Sequence, residues 1–252
     1  MNEKIFERVE KKYLITTDDE KYLLTLINRN MKKDNYYHSE VENIYFDNDN
    51  YDLIIQSNDR PLFKEKFRAR SYAGYDKVFL EIKTKILGLA YRNEVLDDDD
   101  VDSSINTGYK RRILITHQDY EEFISGRQTA LSLARKEMET TADLQIASEI
   151  DYIMNHFNLK PRVLVYYTRE SYVGDSGLRI TFDKDLKYRD YDLSFEKKSS
   201  DQYYFKKEPK IIMEIKAHGY MPLWLVKALS ARHIYPQQFS KIGRIYEKIH
   251  QT

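Results

Sequence analysis

The chain has 252 residues, which is enough for one substantial hydrophobic core or two small ones. Lys and Arg together number 41, as do Asp and Glu, so no overall charge would recruit nucleic acid or an anionic membrane. The absence of cysteine excludes disulfides and cysteine-ligated metals. Apolar runs such as Val163–Tyr167 are far shorter than the roughly 18 residues of a membrane span, and the N-terminus lacks an apolar signal core. We therefore expect a soluble cytoplasmic protein without a membrane span.

The predicted elements alternate between strands and helices along the chain. Period-two alternation predicts strands at 5–15, 41–46, 63–72, 78–85, 89–96, 109–115, 163–173, 177–183 and 211–217. Helices are predicted from 17 to about 31 with a capping box of Thr17 and Glu20, over 118–157 with breaks near Gly126 and Thr140, from Pro222, and from Lys241. Because no linker or repeat interrupts this pattern, residues 1–252 are predicted to form a single domain, with 97–102 as a solvated acidic loop.

Charged side chains are sorted onto one face of each predicted strand, because successive side chains on a strand point to opposite faces. In the third strand, Lys64, Lys66, Arg68 and Arg70 all share one face. Other sets that share a face are Arg8, Glu10 and Lys12; Glu81, Lys83 and Lys85; Lys110 and Arg112; Tyr167 and Arg169; Arg179, Thr181 and Asp183; and Glu214 and Lys216. The opposite faces are apolar, so the predicted helices are available to cover them.

A solvated face of an antiparallel sheet is the common explanation for any one such strand. Here the bias is cationic, and the compensating acid lies in a loop at 97–100. A sheet that is covered outside by helices turns its charged face inward, and closure then produces a polar lumen. About ten cations would repel one another in a dry lumen, so water or anions must fill it. Arg and Lys bind phosphate oxygens, and interleaved carboxylates suit Mg²⁺ or Mn²⁺, which favours a polyphosphate or a nucleotide triphosphate as ligand.

Several of these residues have a simpler explanation. Glu214 either ligates a metal or pairs with Lys216, and Glu10 and Glu81 are either further metal ligands or counter-ions. The run at 110–112 also fits an exposed basic patch. Tyr13, Tyr45, Tyr166 and Tyr172 are expected to pack in the barrel wall. Scattered histidines argue against zinc, and the absence of glycine-rich phosphate loops argues against a P-loop or Rossmann site.

Nine short segments, in order along nearly the whole chain, resemble the catalytic domain of the vacuolar transporter chaperone (VTC) proteins. They are FERVEKKY at 6–13, YFD at 45–47, KFRARSY at 66–72, FLEIK at 79–83, YKRR at 109–112, YTR at 167–169, RITFD at 179–183, MEIK at 213–216 and FSK at 239–241. Each segment alone is weak, but the ordered set is specific. That family belongs to the CYTH-like triphosphate tunnel metalloenzymes.

The resemblance implies an α+β fold with an eight-stranded antiparallel β-barrel that forms a triphosphate tunnel, with helices packed outside. It implies a polyphosphate polymerase that transfers the γ-phosphate of ATP to polyphosphate or pyrophosphate with Mn²⁺ or Mg²⁺. Together with the charged faces, it predicts Arg68, Arg70, Lys83, Lys216 and Lys241 as catalytic residues. The predicted phosphate ligands are Lys12, Lys66, Lys110, Arg112, Tyr167, Arg169, Arg179 and Ser240. The predicted metal ligands are Glu214, Glu81 and Glu10.

The chain departs from the family pattern at a few positions. Gln238 stands where a lysine is expected, and Ser57 lies near the place of an arginine. Residues 88–108 have the character of an insertion, unless Tyr91 and Arg92 fill that strand. Membrane helices that accompany eukaryotic members are missing, so product export would need a separate membrane partner. Two alternatives stay open: a metal-dependent triphosphatase on the same fold, and a non-catalytic binder of polyphosphate or inositol phosphates, which Gln238 favours.

Overall fold

The chain alternates strands with helices, as the sequence predicts. We describe it from a computed structural model, which covers residues 8–59, 63–87, 106–137, 140–195, 201–205 and 210–250. The strands are β1 (Arg8–Ile15), β2 (Lys32–Asp47), β3 (Phe63–Tyr72), β4 (Lys77–Leu87), β5 (Asn106–Thr116), β6 (Lys160–Val173), β7 (Arg179–Arg189), β8 (Gln202–Tyr203) and β9 (Ile211–His218). The helices are α1 (Thr17–Asn30), α2 (Asp52–Asn58), α3 (His117–Ile124), α4 (Ala130–Glu137), α5 (Thr141–His156), α6 (Leu223–Ala231) and α7 (Lys241–His250).

The long helical stretch is broken at the two predicted places. Gly126 follows α3 with a φ of +74°, a left-handed conformation that glycine adopts without a steric penalty. Thr140 is the N-cap of α5, and its hydroxyl accepts a hydrogen bond from the backbone N–H of Asp143 at 3.1 Å. The predicted strand at 89–96 and most of the predicted insertion at 88–108 lie outside the described residues.

The capping box of α1 lies one residue earlier than predicted. The Thr16 hydroxyl accepts from the Asp19 N–H at 3.2 Å, and the Asp19 carboxylate accepts from the Thr16 N–H at 3.1 Å. The predicted partner Glu20 is instead buried, with its carboxylate 2.6 Å from the ammonium of Lys184. Two adjacent threonines each have an acid three residues later, so local spacing alone could not distinguish the two registers.

The strands form one large sheet in an α+β fold. Its hydrogen-bonded order is β1-β9-β7-β6-β2-β3-β4-β5, with β8 paired to β7 off this path. The β1–β9, β9–β7, β3–β4 and β4–β5 pairs are antiparallel. Among the described residues, β1 and β5 are the ends of the path and no pairing joins them. The closed eight-stranded barrel therefore stays a prediction.

The chain divides into two compact units, each assembled from separate segments. Unit 1 comprises Met1–Val41, Tyr166–Tyr188 and Asp201–Ser240, and unit 2 comprises Glu42–Val165, Arg189–Ser200 and Lys241–Thr252. The expectation of a single domain stays a prediction. No helix of the described segments has the length and apolar character needed to cross a bilayer.

Each unit buries the apolar faces of its own strands. In unit 1, Ile27 of α1 and Leu225 of α6 belong to a buried cluster with Met213 of β9 and Phe182 of β7. In unit 2, α3, α4 and α5 contact β5, and the buried side chains include Phe67, Leu80, Ile82, Ile113, Tyr120 and Ile150. Because one face of each strand is buried in this way, the charged residues of the same strands occupy the other face.

Candidate functional site

One face of β3, β4 and β5 concentrates positive charge. The register of these strands places four consecutive rows of side chains on that face: Lys64–Lys85–Gly108, Lys66–Lys83–Lys110, Arg68–Glu81–Arg112 and Arg70–Phe79–Leu114. We call these rows the cation face; among their residues, all of them described, eight side chains are cationic and one is a carboxylate. Like charges directly opposite one another destabilise a sheet. The row of three lysines therefore requires water or an anion against it.

Glu81 is the counter-ion at the centre of this face. Its carboxylate lies 2.7 Å from Arg68, 2.6 Å from Lys110, 3.8 Å from Arg70 and 3.9 Å from Arg112, and its side chain is 1% exposed. Burial by itself would raise the pKa of Glu81, but the neighbouring cations outweigh burial and lower the pKa to about 2. A divalent cation would have to displace these side chains, so the contacts favour the counter-ion alternative over metal ligation.

Strand β2 supplies two polar side chains that hold the arginines. The Tyr45 hydroxyl accepts a hydrogen bond from Arg68 Nη1 at 3.1 Å. The Asn43 side-chain oxygen accepts from Arg70 Nε at 2.8 Å, while its amide nitrogen donates to the carbonyl of Val165 at 3.3 Å. Tyr45 was expected only to pack, and Asn43 carried no sequence signal. Together they fix the orientation of the two arginines before any ligand binds.

The basic run at 110–112 splits between two faces of β5. Arg111 points to the helix-covered side, where its guanidinium lies 2.8 Å from Glu149 of α5 and 3.7 Å from Glu65 of β3. It also donates to the hydroxyl of Thr84 at 3.0 Å. Lys110 and Arg112 remain on the cation face beside Glu81. The run is therefore not a uniform surface patch.

The polar face of unit 1 has a different charge balance. Its register places Glu10 opposite Lys216 and Lys216 opposite Arg179, and it places Lys12 opposite Glu214. We call this set, with Arg169 and Asp183, the mixed face. Carboxylates and cations are mixed across it, whereas the cation face has a single carboxylate among eight cations. The interleaving of carboxylates predicted for the whole site is therefore concentrated on this face.

Two carboxylates of the mixed face converge on one ammonium group. Lys216 Nζ lies 2.5 Å from Glu214 and 3.8 Å from Glu10. Within the described segments, no group of three or more His, Asp or Glu side chains is placed to hold a metal ion. Mg²⁺ commonly uses one or two carboxylates and completes its shell with phosphate oxygens and water. Glu10 and Glu214 therefore fit a divalent cation that arrives with a phosphate ligand.

Carboxylates also anchor the two predicted arginine ligands of the mixed face. Arg169 donates from Nε to Asp183 at 2.6 Å and from Nη2 at 2.8 Å, and Asp183 is fully buried. Although burial lowers the pKa of Arg169, the nearby Tyr167 and Asp183 raise it well above its usual value. Arg179 lies 2.9 Å from Asp34 and donates to Ser171 at 3.1 Å. The sequence does not single out Asp34, because its position on β2 carries no apolar alternation.

The remaining predicted residues are Lys12, Tyr167, Ser240 and Lys241. Lys12 Nζ donates to the carbonyl of Phe239 at 3.1 Å, and the Arg169 guanidinium lies 5.3 Å from the centre of the Tyr167 ring. Ser240 precedes α7, and Lys241 is its first residue. The structure thus brings together Lys66, Arg68, Arg70, Lys83, Lys110, Arg112 and Glu81 on the cation face of unit 2, and Lys12, Tyr167, Arg169, Arg179, Glu10, Glu214 and Lys216 in unit 1.

The chain is similar to proteins of known structure, and a family model matches its sequence. A putative adenylyl cyclase from Hippeastrum, described as having a dominant triphosphatase activity, is similar over 96% of each chain, with 16% identity and a TM-score of 0.55. A protein from Pyrococcus horikoshii OT3 is similar over 96% of this chain and 99% of its own, with 14% identity and a TM-score of 0.47. The model described as VTC domain matches residues 7–250. The match covers nearly the whole chain, and the protein therefore belongs to the VTC domain family.

Proposed function

We propose that the protein is a polyphosphate polymerase that transfers the γ-phosphate of ATP to the end of a polyphosphate or pyrophosphate chain. The observation that carries the proposal is the cation face, where eight cationic side chains share one face with a single carboxylate. A chain of phosphates offers a row of negative charges that matches these rows of cations. Membership of the VTC domain family supports the same activity. The proposal includes the closed eight-stranded barrel and its triphosphate tunnel.

Phosphoryl transfer depends on positioning and on charge neutralisation more than on covalent chemistry by the protein. In this proposal Arg68 and Arg70 grip the phosphates with guanidinium groups that Tyr45 and Asn43 already orient. Lys83 and Lys110 add charge from the neighbouring strands. On the mixed face, Arg169 and Arg179 are held by Asp183 and Asp34 in the same way. Such preorganisation lowers the cost of binding a flexible, highly charged chain.

Glu10 and Glu214 would hold Mn²⁺ or Mg²⁺, and the ion would neutralise charge on the phosphate oxygens. Lys216 lies between these carboxylates in the structure. In the proposed complex its ammonium turns to a phosphate oxygen, since a divalent ion and a lysine would otherwise repel each other at one site. Lys216 then stabilises the transferred group. Lys12, Ser240 and Lys241 are proposed to bind further phosphates.

A triphosphatase is the second candidate. The same residues would bind the same triphosphate, with water in place of the phosphate chain as acceptor. The triphosphatase activity named for the Hippeastrum protein, which shares the fold, favours it. A non-catalytic binder of polyphosphate or inositol phosphates is the third, and Gln238 in place of a lysine favours it.

Analysis of the reaction products distinguishes these three candidate functions. Purified protein is incubated with ATP and Mn²⁺ or Mg²⁺, and the products are resolved on a gel stained for polyphosphate while free orthophosphate is measured. The polymerase predicts long polymer that disappears in Arg68→Ala and Glu214→Ala but persists in Arg111→Ala, whose side chain faces the helices. Release of orthophosphate without polymer would instead identify the protein as a triphosphatase. Tight binding of polyphosphate without either product would identify the protein as a non-catalytic binder.

A further inference from the structure

Tyr45 lies on the polar side of β2, next to the cation face. The following residue, Phe46, turns the other way and packs on Phe67 with their ring centres 4.9 Å apart. The Tyr45 ring is only 8% exposed, yet its hydroxyl reaches Arg68. The ring therefore fixes the position of a hydroxyl group at the edge of the proposed phosphate site.

The hydrogen-bonding capacity of this hydroxyl is only half used. A tyrosine hydroxyl accepts hydrogen bonds through its lone pairs and donates one through its own proton. Arg68 Nη1 donates to the Tyr45 oxygen at 3.1 Å, but the Tyr45 proton has no acceptor among the described residues. Asn43, on the same face of β2, differs because both ends of its amide are paired within the protein. A buried donor without an acceptor is costly unless a ligand or water supplies one.

The charges around this hydroxyl select an anion as that acceptor. Burial by itself would raise the pKa of Tyr45, but Arg68, Lys66 and Arg70 outweigh burial and lower the pKa to about 8. A more acidic hydroxyl is a stronger hydrogen-bond donor, and hydrogen bonds to ionised acceptors are the stronger ones. The same three cations would also hold a phosphate chain close to the hydroxyl.

We infer that the Tyr45 hydroxyl donates a hydrogen bond to a phosphate oxygen of the polyanion bound on the cation face, while its oxygen continues to accept from Arg68. Tyr45 is then a phosphate ligand in its own right. This inference rests on the proposed phosphate site. It assigns a neutral donor from β2 to a face that otherwise binds by charge. Such a donor would favour a chain held at one depth against the sheet, because its position is fixed by a buried ring.

Calorimetric titration with tripolyphosphate tests the inference. Tyr45→Phe removes the hydroxyl and keeps the ring, and it is expected to weaken binding about tenfold, the range for a hydrogen bond to a charged group. Tyr120→Phe is the matched control, since the Tyr120 hydroxyl is also buried and has no hydrogen-bond partner among the described residues, but it belongs to helix α3. That variant is expected to bind as the wild type does. Thermal unfolding of each variant confirms that the fold persists.

A double-mutant cycle separates direct contact from an effect through Arg68. If Tyr45 touches phosphate, most of the tenfold loss persists when Tyr45→Phe is combined with Arg68→Gln. Equal affinities of the Arg68→Gln protein with and without Tyr45→Phe would overturn the inference and leave Tyr45 as a support for the arginine. An unchanged affinity of Tyr45→Phe alone would overturn it as well. If the wild type does not bind tripolyphosphate at all, the proposed function itself fails together with the inference.

Discussion

Arg111 and Arg112 are neighbours in the chain but serve opposite faces of β5. The Arg111 guanidinium lies 2.8 Å from Glu149 of α5, whereas the Arg112 guanidinium carbon lies 4.4 Å from the centre of the Phe79 ring on the cation face. Strand alternation alone separates them. The pair therefore offers two substitutions of identical chemistry with different expected consequences.

Arg112→Gln is expected to weaken tripolyphosphate binding roughly fivefold, because a half-exposed cation of the phosphate site is lost. It should also reduce the salt dependence of binding, since fewer counterions are exchanged. Arg111→Gln is expected to lower the free energy of unfolding by about 1–2 kcal/mol, because Glu149 and Glu65 lose a partly buried partner. Its affinity for tripolyphosphate should stay unchanged. Titrations at two salt concentrations and urea unfolding measure these effects, and equal loss of affinity in both variants would contradict the assignment of faces.

Glu81→Gln is expected to destabilise the protein by about 3 kcal/mol, since it leaves four neighbouring cations without their buried counter-ion. A bound polyanion supplies the missing negative charge. Tripolyphosphate should therefore raise the melting temperature of Glu81→Gln more than that of the wild type. Glu65→Gln, which alters a carboxylate on the helix-covered side, is the control and should show the wild-type increase. A smaller ligand-induced increase in Glu81→Gln would argue against a phosphate site around this carboxylate.

The contribution of Glu81 to stability should depend on pH. Its pKa is lowered from the usual 4.5 to about 2 in the folded protein, so the folded state favours the ionised carboxylate. The stabilisation is then fully present above pH 4.5 and is lost as the pH falls towards 2. The difference in unfolding free energy between wild type and Glu81→Gln should shrink over that range. Urea unfolding at pH 6, 4 and 3 measures it; a difference that stays constant would show that the pKa of Glu81 is not depressed.

Glu10→Gln and Glu214→Gln are each expected to weaken the binding of Mn²⁺ in the presence of tripolyphosphate about tenfold, because the ion loses one of two carboxylate ligands. The electron paramagnetic resonance signal of free Mn²⁺ measures this binding without any turnover. Glu149→Gln removes a carboxylate that pairs with Arg111 and should leave Mn²⁺ binding unchanged. Undiminished Mn²⁺ binding in both test variants would show that Glu10 and Glu214 are not ligands of the metal ion.

The sequence predicts the elements whose faces differ in polarity. Strand β3 was predicted at its observed bounds, because charged and apolar residues alternate through it. The first half of β2 was missed, since residues 32–40 are largely polar on both faces. Helix α2 was also missed: it has seven residues, and the N–H groups of Leu53 and Ile54 in its first turn donate to the carboxylate of Asp47 across a turn. Such a cap lies outside the usual local spacing.

The cations of the candidate site were accessible from the sequence because their period of two is a local property. The side chains that bind these cations could not be predicted in this way, because they come from distant strands. Tyr45 precedes Arg68 by 23 residues, and Asp34 meets Arg179 only through the pairing of the sheet. The alternation of residues along a strand also does not distinguish the cation face from the mixed face. The concentration of carboxylates on the mixed face required the observed register of β1, β7 and β9.

In the proposed function, a phosphate chain lies along the cation face. Lysine acetylation followed by mass spectrometry, with polyphosphate of defined length present or absent, measures whether the chain covers this face. Lys83 and Lys110 are exposed on that face, while Lys21 of α1 and Lys227 of α6 are exposed elsewhere. We expect polyphosphate to slow the acetylation of Lys83 and Lys110 severalfold and to leave Lys21 and Lys227 unaffected. Equal rates at Lys83 and Lys110 with and without saturating polyphosphate would show that no phosphate chain lies along the cation face.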